Sequence, residues 1–219
     1  MKHKILVPTD LSEIKLWQYQ KYLKLLNEGK VDEQLLALKT LEIFCGVEVR
    51  KGYEMKASDV FKIYQTLAIM FEQRPDLVLH FKIGETEFGF HPNLDEMTMG
   101  EYVDLDTYIG DWDNIHKAMA VLYRPILFKK GSKYNIENYE AENAEFMQNM
   151  PMSAVLSSIV FFYHLGIDLS KIMLNYLESN KNKDKISQQL DNLEKSGVGF
   201  SRFLHSLEEI LQTSRISLN

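Results

Sequence analysis

The sequence predicts a mainly α-helical protein, a multi-helix single domain with one small β-hairpin and a C-terminal helical arm. Three observations predict it. Apolar residues recur at three- and four-residue spacing through most of the chain. Strict alternation is confined to residues 77–90. The helical periodicity thins after the polar run Ser179-Asn180-Lys181-Asn182-Lys183, whose residues cannot add to a core. The helical domain is therefore expected over 1–180, with its hairpin near 77–90, and the arm over 181–219.

Each element has a local reason. Ile5-Leu6-Val7 before Pro8 reads as a short strand or extended entry, and Thr9 or Asp10 can cap a first helix that runs from Leu11 through Leu23 and Leu26 to Gly29. Asp32 opens a second helix through Leu35, Leu38, Leu41 and Phe44, which Gly46 stops. A third begins near Ser58, carries Phe61, Tyr64, Leu67 and Phe71, and ends before Pro75. Val78, His80 and Lys82 then alternate with Leu79, Phe81 and Ile83; Gly84-Glu85-Thr86 turns, and Glu87-Phe88-Gly89-Phe90 returns. Helical spacing resumes over Met97–Ile109 and Trp112–Tyr123, until Arg124-Pro125 breaks it and Ile126-Leu127-Phe128 extends. A short helix from Glu137 to Met147 and a long apolar one from Met152 to Leu177 follow. Residues 181–219 form a peripheral arm, interrupted at Gly197-Val198-Gly199 and able to move.

Composition excludes several classes. The 219 residues are 45% hydrophobic and 26% charged, the mix of an ordinary globular chain. A net charge of −6 disfavours nonspecific attraction to nucleic acid or anionic lipid, so neither is an expected partner. The lone cysteine, Cys45, cannot form an intrachain disulfide and suits a reducing compartment. The N-terminus lacks the apolar core of a signal peptide. The apolar run from Ala154 to Ile167 is short of the roughly 20 residues a membrane span needs.

Charge is segregated along the chain. Residues 85–113 hold nine acids and no lysine or arginine, so the remainder carries a net +3 against the total of −6. That stretch reads as a docking face for a basic partner, a divalent-metal site, or a solvated face with acids complementing helix dipoles. Asp113 and His116, three apart, can share a helical face, but a di-iron bundle needs two Glu-x-x-His motifs plus two further glutamates. Asp104-Leu105-Asp106 lacks the glycine and terminal glutamate of a calcium loop. No metal or other cofactor is therefore expected. No Gly-x-Ser-x-Gly or phosphate-binding glycine loop occurs, and Cys45 follows Leu41-Glu42-Ile43-Phe44 as an inert, packed thiol. The reading is of a protein without catalysis.

Two structural roles follow from the same residues. Arg124 follows a helix whose last carbonyls favour a cation, while Glu101 and Asp104 lie in the acidic stretch, so a charge pair joining these helices is expected. Tyr102 and Asp106 are read as structural with them. Ten methionines accompany 25 aromatic residues. Met147, Met150 and Met152 flank Pro151 beside Phe146; they read either as filling for an irregular core or, with Phe161 and Phe162, as an adaptable contact for an apolar partner.

Three stretches carry a resemblance: Gly89-Phe90-His91-Pro92-Asn93-Leu94, Met97 through Asp106, and Ala118-Met119-Ala120-Val121-Leu122-Tyr123-Arg124-Pro125. Met150-Pro151-Met152 and Phe161 to Gly166 continue it over roughly residues 35–178. They resemble small proteins of tailed bacteriophages, especially those of Bacteroidetes hosts, and are similar to tail assembly chaperones. The resemblance implies a protein of the host cytoplasm that binds the helix-rich, apolar tape-measure protein or another tail component, by helix-in-groove contacts. A competing reading is a structural virion component, such as a connector, baseplate or cargo protein. Self-association into a homo-oligomer fits either role.

Overall fold

The computed structural model describes residues 5–27, 29, 32–179, 205 and 209. Seven α-helices and a four-stranded antiparallel sheet make up the described chain: α1 (Leu16–Asn27), α2 (Glu33–Cys45), α3 (Val49–Gly52), α4 (Ala57–Phe71), β1 (His80–Ile83), β2 (Thr86–Phe90), α5 (Met99–Tyr108), α6 (Ile115–Leu122), β3 (Tyr123–Lys130), β4 (Lys133–Ile136) and α7 (Met152–Ser179). The strands lie in sequence order, each paired with the next.

Local signals set both ends of α2 and the start of α5. Asp32 accepts a bond from Leu35 N at the start of α2, and Gly46 closes that helix at φ 66°, a left-handed position that glycine takes without a steric penalty. Thr98 and Glu101 form a reciprocal capping box at the start of α5. The first expected helix is split. Leu11–Glu13 is a 3-10 turn capped by Asp10, and α1 begins only at Leu16. Ile5-Leu6-Val7 forms no strand, and Leu6 is exposed.

The expectation of one hairpin is corrected: the protein is α plus β, and its second hairpin runs over Tyr123–Ile136. The Arg124-Pro125 pair ends a helix but also enters a strand. Phe90 N donates to Leu79 O on the β1 side, so Phe90↔Tyr123 and Phe88↔Pro125 are the pairs that exchange no bonds between β2 and β3. Pro125 therefore lacks its N–H where β2 asks for none, and its carbonyl accepts from Glu137 N. The helix expected over Glu137–Met147 is instead a 3-10 helix at Ala141–Asn149. Its buried Ala144 and Met147, followed by Met150, recur every third residue, the period at which a 3-10 helix keeps one face inward.

The main core joins α1, the end of α2, α4, α5, α6, one sheet face and α7; a smaller cluster of Ala37, Leu38, Leu41 and Val60 joins α2 and α4. The Pro151 junction is stitched to the N-terminal segment, with Leu16 N donating to Met150 O and Met152 N to Ile14 O. Two serines that interrupt the apolar run of α7 anchor the sheet to it. Ser157 Oγ accepts from Val78 N at 3.1 Å, and the buried Tyr123 hydroxyl lies 2.9 Å from Ser158 Oγ while donating to Val78 O. The expected arm over 181–219 lies outside the described residues, save His205 and Glu209, which are helical and 3.4 Å apart at Nε2 and Oε1.

Candidate binding site

Strand alternation gives the sheet two chemically different faces near the root of β3. On one face Arg124 meets Glu101, with Nη1 2.7 Å from Oε1 and both residues buried. Glu101 Oε2 also accepts from Thr98 N at 2.6 Å. Burial raises the Glu101 carboxyl, but the Thr98 hydrogen bonds and the Arg124 charge outweigh it and hold the group below its ordinary range. His91 is buried alongside; burial and the Arg124 charge hold its imidazole below its usual value, against the opposing pull of Glu101. Asp104 takes no part in the pair and is corrected here: its Oδ2 accepts from the Tyr139 hydroxyl at 2.8 Å. Burial and that bond raise the Tyr139 phenol. Tyr102 and Asp106 are exposed.

The other face ends in a cavity of about 300 Å³. Phe88 of β2, Tyr123 and Pro125 of β3, Ala120 of α6, and Phe146 and Met147 of the 3-10 helix supply its apolar lining; Thr86, Glu137, Asn138 and Glu140, with Arg124 at the strand root, supply the polar part. Phe88 and Phe146 stack with centroids 6.0 Å apart, and Phe146 keeps 49% of its surface exposed. Phe88 and Met147 are buried and form the floor, whereas Glu137 and Glu140 are exposed at the rim. Such a hollow can take an apolar side chain and set a cation beside carboxylates.

The methionine cluster divides on burial. Met150 and Met152 are fully buried, and Met147 is 2% exposed, so of the two readings the described structure has the packed core junction, which reaches the cavity through Met147. Phe162 is buried and Phe161 half-buried; both contact Phe90 edge-on or tilted. Sequence reasoning missed Phe88, Tyr123, Glu137 and Glu140 as a set, because three separate segments supply them. One signal was present: no lysine or arginine occurs from Tyr134 to Ser170.

Asp113 and His116 do not converge. Asp113 pairs with Lys24 at 3.0 Å, while the buried His116 places Nε2 3.2 Å from Glu145 Oε1 and leaves Nδ1 without a partner among the described residues. Among those residues no group of three or more His, Cys, Asp or Glu side chains is placed to hold a metal ion. Burial pushes the Cys45 thiol up to about 11. No described helix is long and apolar enough to cross a membrane. No family model, curated protein or solved structure matches the chain.

Proposed function

We propose that the protein acts by binding rather than catalysis, holding an apolar helical segment of another protein as a phage tail assembly chaperone holds its tape-measure protein. The observation that supports this reading is the cavity between β2, β3 and the Ala141–Asn149 helix, with its aromatic floor and carboxylate rim. An amphipathic helix can set one apolar anchor against Phe88, Phe146 and Met147 and a neighbouring lysine or arginine near Glu137 and Glu140. Phe146, half in solvent, is the side chain a partner would cover.

Co-expression tests this reading. The full chain should raise the soluble yield of a tape-measure protein expressed with it. Phe146→Ala, and separately Glu137→Lys with Glu140→Lys, should cut that gain several-fold while the variant's own circular dichroism stays unchanged. Unaltered tape-measure solubility, together with a fixed symmetric copy number in purified virions, would replace the chaperone reading with that of a structural virion component.

A further inference from the structure

We propose that copies of this chain join head to tail, the tip of the β3–β4 hairpin of one copy seating on the exposed face of α5 of the next. The hairpin is buried only at its root. From Leu127 onward β3 is exposed, with Leu127 at 66% and Phe128 at 63%. At the tip Lys130 and Lys133 stand directly opposite each other across the turn, a like-charge pairing that costs stability unless an anion answers it. Lys129 is already engaged by Glu87 at 2.7 Å, whereas Lys130 and Lys133 join no ion pair among the described residues.

The α5 face is the chemical complement. Glu101 and Leu105 point inward, so Met99, Tyr102 and Val103, at i, i+3 and i+4, share the outer side and are 77%, 54% and 51% exposed. Exposed Asp95 and Glu96 precede that stripe, and exposed Asp106 continues it; none of the three joins an ion pair among the described residues. Within one copy the two patches do not meet. The Glu101–Arg124 bond sets α5 at the hairpin's root, and six strand residues at about 3.3 Å each carry Lys130 roughly 20 Å further on. That exceeds the screening length of about 8–10 Å in physiological salt. A second copy supplies what each patch lacks, apolar surface against apolar surface and lysine against carboxylate. Each copy offers one tip and one face, so the contact is heterologous and propagates as a ring or a filament.

Light scattering on the size-fractionated full chain at low ionic strength tests this. The wild-type mass should rise with concentration to at least twice that of the monomer and fall back as salt is added. Lys130→Glu with Lys133→Glu should give a monomer, and so should Asp95→Lys with Glu96→Lys and Asp106→Lys. An equimolar mixture of the two should associate again, since each then presents the sign the other needs. Phe128→Ser and Tyr102→Ser, single exposed changes with unaltered circular dichroism, should each weaken association. A wild-type chain that stays monomeric at its highest soluble concentration overturns the proposal. So does a mixture that stays monomeric, or association that survives both charge reversals. The proposal shares no side chain with the Phe146 cavity, so the two fail separately.

Discussion

Arg124 and Glu101 are each more than nine-tenths buried, so neither can lose its partner to water. Arg124→Ala leaves a carboxylate in the interior with only the Thr98 bonds, and should lower the unfolding free energy by about 3–5 kcal/mol in urea titration. The pH dependence has a definite sign. Glu101 is held below its ordinary value of 4.5, so its contribution is complete above that pH and is lost as pH falls through the lower folded value. The stability gap between wild type and Glu101→Gln should accordingly narrow under acid. His91, held below 6.5, favours the neutral form in the fold and adds to the acid sensitivity from that pH downward. Gly89 is constrained by space rather than by dihedral angle. A Cβ there would lie 2.6 Å from Tyr134 Cε2, on a ring whose hydroxyl is tied to Phe90 O. Gly89→Ala should cost about 1–3 kcal/mol, read as a lower thermal midpoint.

Elements are held by a few polar ties set in apolar packing. Tyr123 is the first residue of β3, directly after α6, and its hydroxyl links Val78 and Ser158. Burial pushes that phenol up to about 12. Tyr123→Phe keeps the ring contacts with Phe81 and Phe90 but leaves buried acceptors unmet, and should cost about 1–3 kcal/mol. Thr98→Ala removes one arm of the α5 capping box, at a cost of about 1 kcal/mol. Because the Thr98 hydroxyl also holds the Glu101 carboxyl down, the acid transition of that variant should move to higher pH.

At the scale of the molecule, the described fold is closed by packing and hydrogen bonds, so dialysis against a chelator should leave the circular dichroism spectrum and thermal midpoint unchanged; unfolding on chelation would point to a structural metal. Where the sequence carried its own punctuation, it determined the structure. Asp32 and Gly46 bound α2, Thr98 and Glu101 start α5, and the alternation before Gly84 makes β1 and β2, because caps and turns are satisfied within a few residues. Acid clustering over 85–113 and its lack of cations were likewise visible in the chain alone. Tertiary structure decided the rest. Arg124-Pro125 becomes strand because β2 offers a register in which the missing N–H is not needed. Met150 and Met152 are buried because Ile14 and Leu16 bond across Pro151. The cavity exists only where β2, α6, β3 and the Ala141–Asn149 helix meet. Those outcomes depend on partners far away in sequence, and a local pattern carries no information about which distant backbone will satisfy a strand or cover a side chain.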